Sequence, residues 1–193
     1  MNRLCKRNFE IKQESLSEVK SFASDKIYSA KAGSYKSVAT LTDTDGKKLA
    51  LGKDYEVVSY TLDGSGILDE KAVVEAGHSI TILLRAKEGG NYTGTRECTY
   101  RVTKASISKL KATAKTKAYT GQYVELDHGD ITVKASALQS LVYGEDFEIV
   151  PGSYENNLYK GSAFVTIRGI GNYGGTLKVK FKIKARPFSW WWK

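Results

Sequence analysis

Residues 169–176 read Gly169-Ile-Gly-Asn-Tyr-Gly-Gly-Thr176 and run directly into Leu177-Lys-Val-Lys-Phe-Lys-Ile-Lys184. Eighty-one positions before the second Gly-Asn-Tyr stands Gly90-Asn91-Tyr92-Thr93-Gly94-Thr95, also followed by an alternating run, residues 96–104. A glycine-rich stretch that cradles phosphate needs a helix behind it, because the helix's first amides face the anion. Both copies here precede period-two runs, the pattern of a strand with one buried face. The glycines therefore read as positive-φ positions in the turn into the last strand of a unit, with the tyrosine packed over its end.

A repeated turn predicts a repeated unit, and the rest of the chain supplies one. Ser15-Leu-Ser-Glu-Val matches Ser106-Ile-Ser-Lys-Leu, and Tyr28-Ser29 matches Tyr119-Thr120, both 91 positions apart. Gly52-Lys-Asp-Tyr-Glu-Val-Val58 matches Gly144-Glu-Asp-Phe-Glu-Ile-Val150 at offset 92, and Ile82-Leu-Leu-Arg85 matches Val165-Thr-Ile-Arg168 at offset 83. The drift falls in loops, around Asp63-Gly-Ser-Gly66 and at Glu88-Gly89. The register also overruns both ends: Phe9-Glu-Ile-Lys, Tyr100-Arg-Val-Thr and Phe181-Lys-Ile-Lys align. This divides the chain into a partial strand of a preceding repeat (1–14), repeat one (15–105), repeat two (106–185), and the start of a following repeat or a terminal tail (186–193).

Six or seven short strands per unit, with turns every ~8–12 residues, predict an all-β protein of two tandem β-sandwiches with partial repeat strands at both ends. Residues 38–51 read as a hairpin closed at Asp45-Gly46, and residues 54–60 and 78–87 as further strands. No helix longer than a turn or two is expected. The two units should meet near residues 103–107 through a short connection, since Thr103-Lys-Ala-Ser-Ile107 has no glycine or proline.

The string Tyr119-Thr-Gly, Gly144-x-Asp-Phe-x-Ile, Tyr154-Glu-Asn-Asn157 and Gly161-Ser-Ala-Phe-Val-Thr-Ile-Arg-Gly-x-Gly-Asn-Tyr-x-Gly-Thr176 resembles the bacterial immunoglobulin-like repeats of large Gram-positive surface proteins. The resemblance covers nearly all of residues 15–185. It is closer in the second unit, because the first has Tyr28-Ser-Ala without the glycine and lacks the Asn-Asn pair. It implies two tandem immunoglobulin-like β-sandwiches in an extracellular protein of the cell surface or wall, serving as a spacer or adhesion segment, with neighbouring repeats or subunits as partners. The rival readings are a self-assembling, pilus-like subunit joined by strand addition and a carbohydrate-binding module.

Composition narrows the chemistry. The net charge is +9. Residues 15–105 carry thirteen Lys/Arg against twelve Asp/Glu, and residues 106–185 eleven against seven, so the excess sits in the second unit and at the ends. No stretch reaches the ~18–20 apolar residues of a membrane span. No apolar run follows the basic start, so no signal peptide is visible. That leaves a cytoplasmic protein or a piece of a longer secreted one. Cys5 and Cys98 form no metal-binding spacing, and no bond between them is expected if the units run end to end.

Catalysis has little to stand on: no nucleophile beside a base, no clustered histidines, no carboxylates forced together. The chain is read as a non-enzyme without cofactor or metal. Asp43-Thr-Asp45-Gly46 lacks the further acidic ligands of a calcium loop, Asp127-His128-Gly129-Asp130 reads as a solvated turn, and His78 has no evident partner. Two rows of lysine stand out. Lys178, Lys180, Lys182 and Lys184 share one face of the last strand, and Lys109, Lys111, Lys115 and Lys117 alternate in the same way at the start of the second unit. They guard a sheet edge against pairing, or they merge into a stripe that contacts an anionic cell-wall polymer or a host glycan. Nucleic acid is not expected, because no aromatics are interleaved on the lysine face. Phe9, Ile11, Trp190, Trp191 and Trp192 are candidates for docking against a neighbouring repeat or subunit. Three consecutive strand residues alternate faces, so the tryptophans cannot form one flat sugar platform.

Overall fold

The computed structural model describes residues 12–186. It is all-β, and none of the described residues is α-helical. The chain falls into two compact units that divide between Val102 and Thr103. The first holds β1 (Glu14–Ser15), β2 (Lys20–Ala23), β3 (Lys26–Ile27), β4 (Ala39–Thr42), β5 (Tyr55–Leu62), β6 (Ser79–Ala86), β7 (Tyr92–Thr93) and β8 (Thr95–Thr103), the last ending at the division. The second holds β9 (Ala105–Ser106), a 3-10 turn (Ile107–Lys109), β10 (Lys111–Ala114), β11 (Lys117–Ala118), β12 (Ile131–Lys134), β13 (Phe147–Ile149), β14 (Gly161–Gly169), β15 (Tyr173–Gly174) and β16 (Thr176–Lys184).

The two units share one pairing scheme. In the first, β3-β8-β6-β5 form a four-stranded sheet, β2 pairs β4 and β1 pairs β7; in the second the orders are β11-β16-β14-β13, β10-β12 and β9-β15. Strand alternation explains why each element lies where it does. β8 and β16 have the same burial rhythm, with Cys98, Tyr100 and Val102 inward in one and Val179, Phe181 and Ile183 inward in the other. The first core adds Leu41, Tyr55, Ile80, Ile82 and Leu84, all at most 2% exposed. In the second unit Val133, Phe147, Val165 and Ile167 are buried to the same degree.

The loop ahead of β5 and β13 explains the repeated Gly-x-Asp. Asp54 accepts the Ala50 amide on its carboxylate at 2.7 Å, and Asp146 accepts the Val142 amide at 2.9 Å. Gly52 and Gly144 sit at φ +84° and +83°, where their amides reach the Tyr55 and Phe147 carbonyls. An L side chain is strained in that left-handed region, so glycine is needed. The segment expected as the second arm of a hairpin, residues 48–51, makes isolated bridges from Lys48 to Thr42 and from Leu51 to Tyr55. Its Asp54-capped turn bends it away before a ladder forms.

β5 is the edge strand of its sheet, and its last three residues are covered by residues 66–68, where Leu68 N donates to the Tyr60 carbonyl and Leu62 N to that of Gly66. A register shift between Val57 and Ser59 breaks its regularity and leaves Val58 turned outward. Such a bulge spoils the template for strand addition.

Candidate functional site

The Gly-Asn-Tyr repeat is a main-chain device. The Asn91 carbonyl accepts from Glu14 N at 2.9 Å and the Asn172 carbonyl from Ala105 N at 3.0 Å, which ties each unit's first strand to its glycine turn. Gly94 and Gly175 both sit at φ +80° and send the chain into β8 and β16. Tyr92 and Tyr173 are buried to the same extent. The Tyr92 hydroxyl donates to Asp43 Oδ2 at 2.9 Å. Burial, then the hydrogen bond to Asp43, pushes the Tyr92 phenol up to about 12. Asp43 lies below its ordinary value: burial works against its charge, but hydrogen bonds from the Lys47 amide and Tyr92 outweigh that. The acid that opens the calcium-like string thus anchors a turn.

His78 has a partner, contrary to the reading of its sequence context. Its Nδ1 lies 2.6 Å from Asp63 Oδ2, and Asp63 also accepts the Ser79 amide. The His78 hydrogen bond and the Ser79 amide hold Asp63 below the usual carboxylate range. The pair staples the base of the long loop of the first unit. His128 stacks on Tyr143, with ring centroids 4.1 Å apart. Among the described residues, no three His, Cys, Asp or Glu side chains come together as a metal site. Cys98 is a buried free thiol, and Cys5 lies outside the described residues.

The eight lysines divide by what they touch. Lys117 reaches Asp130 at 2.6 Å and Asp127 at 3.0 Å, and Lys115 reaches Asp130 at 3.5 Å. Asp130 is buried, with its carboxylate also accepting the Asp127 amide. Lys117 first, then that amide, lowers the Asp130 pKa, while the Lys117 ammonium is raised by Asp130 and Asp127. Lys117 is thus held in an ion-paired turn at the half-buried edge of the unit, and the more exposed Lys115 lies beside the same carboxylate. Lys178 is held by Glu155 at 2.7 Å and lies over the Phe164 ring, 5.0 Å from its centroid.

The other five, Lys109, Lys111, Lys180, Lys182 and Lys184, are exposed and make no ion pair among the described residues. They do not form one sheet surface. β10 belongs with β12, and β16 belongs with β11 and β14. β14 pairs along β16 from Thr176 to Ile183, whereas β11 covers only Ile183 and Lys184 on the other side. Lys178, Lys180 and Lys182 therefore stand where β16 has one paired edge. Phe9, Ile11, Trp190, Trp191 and Trp192 lie outside the described residues.

One lysine escaped the sequence reading. Lys134, at the end of β12, is directly opposite Lys111 in the β10–β12 register. The two are twenty-three positions apart in sequence, and only the strand pairing puts them together. No family model matches this chain, and no similar protein was found among curated sequences.

Proposed function

We propose that the chain is a non-enzymatic extracellular segment of a bacterial surface protein, built from two immunoglobulin-like repeats that act as a load-bearing spacer or adhesion arm. The observation that carries this reading is the parallel pairing at the ends of each unit. β1 runs parallel to β7, β9 parallel to β15, and β11 parallel to the terminal strand β16. Tension on a chain entering through β9–β11 and leaving through β16 pulls these parallel strands in opposite directions. Their hydrogen bonds, such as Ala105 N to Asn172 O and Tyr119 N to Lys184 O, are loaded together in shear rather than opened one at a time. That is the geometry a spacer under load requires. A second support is the short tie between units: Lys104 alone separates β8 from β9.

Single-molecule stretching of the whole chain tests this. Two separate unfolding events are expected, each releasing roughly 300 Å of contour from about 90 residues at ~3.4–3.6 Å apiece. Gradual extension without distinct events would overturn the load-bearing reading.

A further inference from the structure

The second unit carries an open groove of about 510 Å³ lined by Lys109, Leu110, Lys111, Lys134 and Ser136. We propose that it binds a linear polyphosphate-type polyanion, with the ammonium groups of Lys109, Lys111 and Lys134 as its contacts.

Three observations converge on that ligand. First, the charge is uncompensated. No carboxylate lines the groove, and none of its lysines makes an ion pair among the described residues, whereas Lys115 and Lys117 a few residues away are consumed by Asp127 and Asp130. Second, the charge is concentrated by the fold. Lys111 and Lys134 are exposed cross-strand neighbours, an arrangement whose like charges repel. A bound anion turns that repulsion into shared attraction. Third, the equivalent place in the first unit is neutralised. There Lys20 faces Thr42, Glu18 takes the position of Lys109, and in the following turn Asp43 and Asp45 balance Lys47 and Lys48, where the second unit has the uncharged Ala135, Ala137, Gln139 and Ser140.

The form of the groove selects among anions. It is open, and its lysines are exposed point charges with no buried donor to enclose a single phosphate. A chain of regularly spaced charges gains from all three lysines and releases counterions as it binds. No aromatic ring lines the groove, so it offers bases nothing to stack on, and a polymer recognised through its phosphates alone fits better than a nucleic acid.

The test uses the full chain and inorganic polyphosphate, with affinity measured over a salt series. In Lys109→Gln/Lys111→Gln/Lys134→Gln, binding at low salt should fall at least about tenfold, and the salt slope should drop by about 2, at ~0.7 per lost contact. The control Lys180→Gln/Lys182→Gln/Lys184→Gln removes the same charge from β16 and should lose less than about threefold. Replacing the groove lysines with arginine keeps the charge and should restore binding, which separates lost contacts from lost folding. Equal losses in the two glutamine variants would assign the binding to net charge and overturn the site. So would monophosphate competing as well as the polymer, or single-stranded DNA binding tenfold more tightly than polyphosphate.

Discussion

The outward faces of β2–β4 and β10–β12 carry different chemistry on one backbone plan. On the first, Phe22 stands in the open at 66% exposed, beside Lys20 and across from Thr40. On the second, the matching strands present Lys111, Thr113, Thr132 and Lys134. The inward sides keep to small and aliphatic residues in both, Ala39 and Leu41 against Ile131 and Val133. Packing constrains the inner side because a one-residue register slip would turn every side chain over. The outer side is free to diverge, so differences in binding between the two units should lie there.

The cores differ at one telling position. Tyr100 in β8 and Phe181 in β16 are equivalent and almost fully buried. The Tyr100 hydroxyl donates to the Tyr35 carbonyl at 2.6 Å and accepts the Ser37 amide, pinning a segment of the first unit that carries no strand. The second unit has only a ring there, edge-on to Tyr154. Phe181→Ala should therefore cost the second unit about 3–5 kcal/mol through the cavity alone. Tyr100→Phe keeps the packing and strands two backbone groups, for a smaller cost of about 1–3 kcal/mol. Urea unfolding of both variants checks the order. A Tyr100→Phe effect as large as that of Phe181→Ala would show that hydrogen bonding, not packing, dominates the first core.

How far such features were legible depends on their range. The alternation in β8 and β16, the Gly-x-Asp loops and the glycine turns are local, and each is written within about ten residues. Which strands pair was not legible: residues 38–51 read as a hairpin, whereas β4 pairs β2. Contacts set by register were not legible: Lys111 meets Lys134, His78 meets Asp63 and Lys117 meets Asp130 only after the strands and loops are placed. The lysine rows failed as a single unit for the same reason. Alternation tells which face a lysine takes but not which carboxylate waits beside it.

The glycine turns allow a finer comparison. Gly94 and Gly175 have the same φ of +80°, so alanine pays the same left-handed cost at both, about 1–2 kcal/mol. Their surroundings differ slightly. A Cβ on Gly94 would lie 3.7 Å from Ser15 Oγ, and one on Gly175 would lie 3.3 Å from Ser106 Oγ. Gly175→Ala should thus destabilise its unit somewhat more than Gly94→Ala does the first, as read from the shift in each unfolding midpoint. The reverse order would mean that backbone strain is unequal despite the matching angles.

The smallest expected effect concerns an exposed ion pair present in both units in different form. Glu56 on β5 is bound by Arg85 and Lys87, each at 2.6 Å. Glu148 on β13 is paired with Arg168, and the place of Lys87 is taken by Ile170, whose amide bonds the Asp146 carbonyl as that of Lys87 bonds the Asp54 carbonyl. The hydrogen bond from Lys87, then that from Arg85, lowers the Glu56 carboxyl from 4.5 to about 2. A carboxyl depressed on folding contributes stability that is fully present above its unfolded value and is lost as pH falls through the folded one. The first unit should therefore lose this contribution as pH falls from 4.5 toward 2. The loss should be modest, because solvent screens surface pairs. Lys87→Gln removes the larger cause, so the Glu56 carboxyl, followed by carbon-detected NMR, should titrate at a higher pH and the acid sensitivity of the unit should shrink. An unchanged titration in that variant would place the depression on Arg85 alone and leave the pairings in the two units electrostatically alike.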